Sequence, residues 1–364
     1  MSWFNYSIVI LGMLISIALF LRPKKLKSSK YIITEEIRKV SIIIPARNEE
    51  INLKNILSDI KNLEYPIHEV ICVDDQSTDN TADVIDQFSA NKVSVEMIPN
   101  GWKGKTWACQ LGAETANGEI LLFIDADVRL EPQAVNSLVH SHLQFQSPIS
   151  VQPTHHVIKV YEYLSLFFNM IQVAATGLGF MGSQKTYGLF GPIFLISRNQ
   201  FFALNGYNAV KGKVVEDFSL GQYYKRNNVH PKMYLGDRLI SYRMYPHGID
   251  TLIEGWAKNF SLGAISTRWW LLLMIVIWVV YLTVTPILLT IAIIQTLPVL
   301  MWIFIAVYLF SVLMLARTGN MLGNYPNWCY LLYPVFIVFF HIMFGYSTVA
   351  TFVLKSTTWK GRKL

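Results

Sequence analysis

Charge is scarce in this chain. Only 15% of its 364 residues are Asp, Glu, Lys or Arg, and 52% are hydrophobic; an ordinary soluble domain carries about 25% charged residues. A chain this apolar is neither disordered nor collagen-like. Cysteine is scarcer still. Cys72, Cys109 and Cys329 are too few for a disulfide scaffold and share no metal-ligand spacing. They read as three buried thiols in a reducing compartment.

Acidic residues are outnumbered, 24 against 31 basic, for a formal net charge of +7. The excess sits in two places. Arg22, Lys24, Lys25, Lys27 and Lys30 follow the first apolar run, and Lys355, Lys360, Arg362 and Lys363 follow the last. Without these nine, basic residues no longer outnumber acidic ones. Juxtamembrane positions of this kind set topology and attract anionic membrane lipid, so nucleic acid is not an expected partner.

What the chain has in quantity is long apolar runs. Residues 6–21 are uncharged and at the short end of a bilayer span. Their basic flank comes after the run, and no small-residue cleavage site follows, which predicts a signal anchor rather than a cleaved leader. From Trp269 to Leu354 the only charged residue is Arg317. Residues 271–294, 297–316 and 329–354 are the expected spans. The predicted organisation is an anchor with its basic segment (1–30), an α/β domain (31–268) and C-terminal membrane helices with a basic tail (269–364). That describes a multi-pass protein of the cell membrane with a cytoplasmic catalytic domain. One anchor plus three spans would put the basic tail outside, against its charge preference. Either the first segment does not cross, or one C-terminal segment is re-entrant or interfacial. Residues 161–180 are apolar with aromatics near the start, and we expect an interfacial helix there, with a core helix as the alternative.

Between these regions the pattern changes. Residues 40–44 (VSIII) form a β-branched run ending at Pro45, and Ile51, Leu53, Ile56, Leu57, Ile60 and Leu63 recur at helical spacing. Further strand-like runs follow at 70–73 and 120–124. Alternating strands and helices predict a mostly parallel sheet covered on both faces, with ligands at the carboxyl ends of its strands. All three runs end there in polar clusters: Ala46-Arg47-Asn48-Glu49-Glu50, Asp74-Asp75-Gln76-Ser77 and Asp125-Ala126-Asp127. Two carboxylates one residue apart at a strand tip suit a hard divalent cation, which can also grip a diphosphate. Asp79 and Thr81 read as capping residues.

The segments SIIIPARNEE, VDDQSTDNT, WKGKTWACQLGA, LLFIDADV and VVEDFSLG occur in that order. Together, over about residues 40–260, they resemble the family 2 inverting glycosyltransferases. Within that family the similarity is greatest to a membrane-bound bacterial branch acting on carotenoid acids, where VQP at 151–153, FGP at 190–192, EGWAK at 254–258 and WKGR at 359–362 add to it. The resemblance implies a GT-A nucleotide-sugar-binding, Rossmann-like mixed sheet and a hexosyltransferase reaction. Its donor would be a UDP-sugar, UDP-glucose first, and its cofactor Mg2+ or Mn2+. By position, Pro45, Ala46, Arg47 and Glu49 would line the nucleotide pocket, with Asp74 or Asp75 on the uracil or ribose. Lys105 would approach the diphosphate. Asp127 would hold the metal, and Asp125 would face the donor with a share in the metal site. Asp217 matches the catalytic base, beside Glu216. Trp256 and His247 fall on the acceptor side.

The chain departs from processive members in lacking a Gln/Arg-x-x-Arg-Trp motif; the local stretch is Leu252-Ile253-Glu254-Gly255-Trp256. This weakens the case for a processive polysaccharide synthase. The predicted site lies between membrane segments, from which a lipid can arrive, and the resemblance implies an apolar lipid acceptor, a carotenoid acid first and a diacylglycerol, hopanoid or polyprenyl phosphate second. Two rival classes remain. A nucleotidyltransferase would release pyrophosphate, and needs a Gly-rich basic signature absent near the first strand. A non-catalytic nucleotide-sugar-binding membrane protein would have no reason to keep both Asp127 and Asp217.

Overall fold

A computed structural model describes residues 3–29, 37–182, 186–213, 216–350, 358–359 and 362–363. Lys30, Lys355 and Lys360 of the basic clusters, and residues 351–354 of the third expected span, lie outside them. The chain divides into two compact units. One comprises Lys24–His155 and Thr186–Met244, the other Met1–Pro23, His156–Lys185 and Tyr245–Leu364. The contiguous 31–268 domain expected from sequence is thus interrupted, because 156–185 and 245–268 pack with the apolar helices.

Helix α1 (Trp3–Phe20) precedes the first strand, β1 (Val40–Ala46). The α/β unit continues with α2 (Glu50–Lys61), β2 (Glu69–Asp74), α3 (Thr81–Gln87), β3 (Asn91–Ser94), α4 (Gly104–Thr115), β4 (Ile120–Ile124) and β5 (Val128–Leu130). After these come α5 (Ala134–Phe145), β6 (Ile149–Gln152) and β7 (Thr154–His155). Helix α6 (Leu166–Thr176) belongs to the other unit. The α/β unit resumes with β8 (Ile193–Ser197), α7 (Arg198–Ala203), α8 (Glu216–Arg226), β9 (Lys232–Leu235) and β10 (Ile240–Tyr242).

Seven strands form one mixed sheet in the order β3-β2-β1-β4-β8-β6-β9. β1 runs parallel to β2 and β4, and β8 runs antiparallel to both β4 and β6. β5, β10 and β7 make a smaller second sheet. Side chains alternate between the two faces of a strand, and here both faces are covered. Ile42, Ile44, Leu122 and Ile124 enter one core with Leu53, Ile56, Val135 and Leu138. Ile43, Leu121 and Phe123 enter the other with Ala108, Ala113, Leu220 and Tyr224. Burial on both sides explains why these strands read as unbroken apolar runs. The run expected to end at Pro45 goes one residue further: Pro45 pairs with Val73. Ala46 presents its carbonyl to Asp75 N–H on the β2 side, so Pro45 faces the β4 side. The β1–β4 ladder has already stopped at Ile43, and the missing N–H costs no bond.

The second unit is helical, with α6, α9 (Ile249–Ser266), α10 (Trp269–Ile294), α11 (Pro298–Leu322), α12 (Asn327–Leu331) and α13 (Tyr333–Thr348) joining α1. Trp278 of α10 is enclosed by Phe20 at 5.3 Å and Phe167 at 6.1 Å between ring centroids. Tyr281 of α10 and Ser311 of α11 share a hydroxyl–hydroxyl hydrogen bond of 2.5 Å. α10 and α11 are long and apolar enough to cross a membrane, about 39 and 37 Å at 1.5 Å per residue. Leu273, Val276 and Ile294 of α10, and Val299, Trp302 and Leu313 of α11, are exposed, which suits lipid rather than water.

Two of the expected spans differ in detail. The apolar part of α1 is Tyr6–Phe20. The third C-terminal run breaks at Leu332, between α12 and α13, and residues 351–354 of it lie outside the described residues. Pro334 sits in the first turn of α13, where its absent N–H has no helical partner to lose. The interfacial helix expected over 161–180 is instead a core helix. Leu166, Phe167, Phe168 and Met170 are all fully buried, and α6 packs against α10, α11 and α13.

α4 lies so close to the sheet that a Cβ on Gly112 would fall 2.6 Å from Ile43 Cγ2 and 3.0 Å from Val73 Cγ2. Gly112→Ala should therefore destabilise the protein by about 1–3 kcal/mol, the usual cost of overpacking. A lowered thermal-denaturation midpoint of the purified protein is the readout, and an unchanged midpoint would contradict this packing.

Candidate active site

Parallel strands end on the same edge of a sheet. β1, β2 and β4 therefore deliver Arg47, Asp75 and Asp125 to one side, and β8, running the other way, starts there at Ile193 opposite Ile124. The ends of β1 and β2 are tied together. Arg47 Nη1 donates to the Asp75 carbonyl at 3.0 Å, and Asp75 N–H donates to the Ala46 carbonyl at 2.8 Å. Asn48 N–H donates to Ser77 Oγ at 3.0 Å, and Thr78 N–H to Asn48 Oδ1 at 2.8 Å. Asn48 and Gln76 both sit at positive φ, 53° and 58°, so each strand end turns sharply; Asn tolerates this better than Gln. Asp74 accepts Ser77 N–H at 3.0 Å. Glu49, at the start of α2, accepts from Asn52 at 2.7 Å. Asp75 is 5% exposed.

Asp79 caps locally, as its sequence position suggests: it accepts Thr81 N–H and Glu50 N–H. Burial works against its charged form. Hydrogen bonds from Thr81 and Glu50 outweigh that and hold its carboxyl below the ordinary value.

The second half of the site centres on Lys105, in the first turn of α4. Its ammonium reaches both oxygens of Asp125, at 2.8 and 2.9 Å. Burial alone would lower the Lys105 pKa, but the carboxylates of Asp125, Asp217 and Glu216 together hold it well above its usual value. Glu216 and Asp217 open α8. Asp127 follows Asp125 by two residues and is half-buried. Among the described residues no group of three or more His, Cys, Asp or Glu could hold a metal. Two hard carboxylates that share the rest of the coordination with a diphosphate still suit Mg2+ or Mn2+ in donor chemistry. The thiols stand apart from this chemistry: burial pushes Cys72 up to about 12 and raises Cys109 as well.

The structure thus brings Pro45, Ala46, Arg47, Glu49, Asp74, Asp75, Lys105, Asp125, Asp127, Glu216 and Asp217 into one unit. Trp256 and His247 lie in the other. Trp256 is 3% exposed, donates its indole N–H to Ser165 Oγ at 3.1 Å and stacks on Phe168 at 4.6 Å. His247 is exposed in the turn before α9. Pro192 had no assigned role in the sequence, yet its carbonyl accepts Asp125 N–H at 3.0 Å. Its place in the FGP segment was the only signal.

Because the Lys105 pKa is raised, its stabilising contribution is fully present below the ordinary lysine value and is lost only as pH rises through the raised one. Lys105→Met should therefore lower the thermal midpoint throughout the neutral range. Asp125→Asn should restore part of the loss by removing one of the carboxylates left unpaired. A midpoint unchanged by Lys105→Met would refute this electrostatic arrangement.

Comparison with known proteins agrees with this geometry. Residues 41–171 match the family model described as glycosyl transferase family 2. The chain is 35% identical over 254 residues to the 4,4'-diaponeurosporenoate glycosyltransferase of Staphylococcus haemolyticus (strain JCSC1435), covering 68% of this chain and 67% of that one. It is 30% identical over 331 residues to the enzyme of the same name from Staphylococcus aureus (strain USA300), covering 89% and 88%. Among solved structures, a mannosyltransferase from Pyrobaculum calidifontis in complex with GDP-Man and Mn2+ shares the fold, with a TM-score of 0.56, 15% identity and 96% of each chain covered. With these relatives, this mixed sheet and these carboxylate-bearing strand ends, the chain belongs to the family 2 glycosyltransferases and is an enzyme of GT-A fold.

Proposed function

We propose that this glycosyltransferase moves a hexose, glucose in our reading, from a UDP-sugar to the carboxylate of a carotenoid acid, inverting the anomeric centre. The observation that carries the reading is the kinship over 89% of the chain with an enzyme named for 4,4'-diaponeurosporenoate. The site supports it: a fixed ammonium among carboxylates at the sheet edge suits a nucleotide diphosphate. The exposed apolar faces of α10 and α11 support a multi-pass protein of the cell membrane whose acceptor arrives from the bilayer. The basic residues after the first apolar run favour a catalytic domain on the cytoplasmic side.

In this reading Pro45, Ala46, Arg47, Glu49, Asp74 and Asp75 surround the uridine, and Asp125 faces the ribose or sugar. Asp127, with Asp125, would hold Mg2+ or Mn2+. When bound, that cation supplies positive charge to the departing diphosphate. Lys105 neutralises charge on the same group as the glycosidic bond breaks. One acceptor oxygen forms its bond to the anomeric carbon from the opposite face, and UDP leaves with the electron pair. A carboxylic acid with a pKa of about 4 is already ionised at neutral pH, so Asp217, beside Glu216, orients this acceptor more than it deprotonates it. A hydroxyl acceptor would need Asp217 as base. Trp256 and His247 would act on the acceptor side, Trp256 by shaping the apolar surroundings rather than by its occupied N–H.

Purified protein given UDP-glucose, Mn2+ and a carotenoid acid should release UDP and form a glucosyl ester visible by mass spectrometry. Asp127→Ala should abolish both. Failure of any carotenoid acid to stimulate UDP release would defeat the acceptor assignment. Asp217→Ala should cost roughly tenfold or less with an acid acceptor, but about 10²–10⁴-fold with a hydroxyl-bearing lipid, the usual range for losing a general base. Equal losses on the two acceptor classes would refute the orienting role.

A further inference from the structure

Asp217 is held against a glycine. A Cβ on Gly191 would overlap Asp217 Oδ2 and lie 2.6 Å from Asp217 Cγ, well inside van der Waals contact. Gly191 is not among the glycines at positive φ. Its backbone alone would accept alanine, so the missing side chain serves space rather than conformation. The next residue, Pro192, accepts Asp125 N–H at 3.0 Å. One dipeptide therefore touches both acidic motifs: its proline carbonyl fixes the strand end that carries Asp125, and its glycine receives the carboxylate of Asp217. The loop is anchored again one turn along α8. Gly188, at φ +93°, would place a Cβ 2.6 Å from the Phe218 ring, and Gly221 packs against the Gly188 backbone.

We propose that Gly191 is the positioning residue for Asp217. Its bare Cα sets where the carboxylate stands relative to the Asp125–Lys105 pair, and so where the acceptor oxygen is held against the anomeric carbon. The inference rests on the function proposed above for Asp217. Nothing in it requires Gly191 to touch the substrate.

The test is a double-mutant cycle in the purified full chain. With a hydroxyl-bearing lipid acceptor, Gly191→Ala should lower kcat by a factor within about threefold of the Asp217→Ala loss, with KM for the UDP-sugar unchanged within about twofold. It should also lower the thermal midpoint. Asp217→Ala removes the atoms that collide with the new methyl group, so Gly191→Ala added in that background should lower neither turnover nor midpoint further. If Gly191→Ala alone does not fold, recovery of a folded Gly191→Ala/Asp217→Ala protein still supports the contact. Wild-type kcat in Gly191→Ala, or equal and additive losses in both backgrounds, would overturn the inference. Full turnover by Asp217→Ala on every acceptor would instead overturn the role proposed for Asp217, and the catalytic half of this inference with it, even where the two midpoints remain coupled.

Discussion

Carboxylates do not gather at one sheet edge without a cation among them. The parallel run of β1, β2 and β4 brings Asp74, Asp75, Asp125 and Asp127 out together, and α8 adds Glu216 and Asp217. Their mutual repulsion is opposed by Lys105, whose ammonium lies 2.8 Å from Asp125. Burial by itself would favour a neutral amine, but the surrounding negative charge wins, and the group stays protonated across the physiological range. The contact that makes the acidic edge tenable is also the fixed positive charge to which our proposed function assigns the donor diphosphate. The electrostatic balance of this edge depends on one side chain, set at the start of α4 by the Gly104-Lys105 step.

The reversal of β8 does the rest of the assembly. A fourth parallel strand would have entered from the far side of the sheet. An antiparallel one begins at Ile193, beside the end of β4, and its leading residues, Gly191 and Pro192, enter the site as backbone. A contact built from backbone and from a missing side chain leaves little trace in composition. The loop packs closely, with Gly188 against the Phe218 ring and Gly221 against the Gly188 backbone.

Much of the α/β unit could be read in advance. The apolar runs at 40–44, 70–73 and 120–124 became β1, β2 and β4, and the polar clusters after them lie together at one edge of the sheet, because strand periodicity and turn chemistry are local properties. The three cysteines are free and buried, as expected. The helical unit was read less well. The apolar run from Tyr330 onward looks continuous in sequence, yet a break at Leu332 cuts it into two helices. Residues 161–180 looked suited to a membrane surface because their aromatics cluster, but a helix buried on nearly every side carries the same composition.

By itself, the sequence determined three central strands of the sheet, the acidic clusters at their ends, the family and two helices long enough to cross a membrane. The strands, their acidic ends and the helices follow from runs and spacings within a few residues, and the family from the order of such short motifs along the chain. Only the tertiary structure decided that 156–185 and 245–268 leave the α/β unit, that Trp256 spends its N–H on Ser165, and that Gly191 receives the carboxylate of Asp217. Those are contacts between residues far apart in the chain. Which of them form depends on how close two backbones come, and that distance is set by the packing of whole elements rather than by any local pattern.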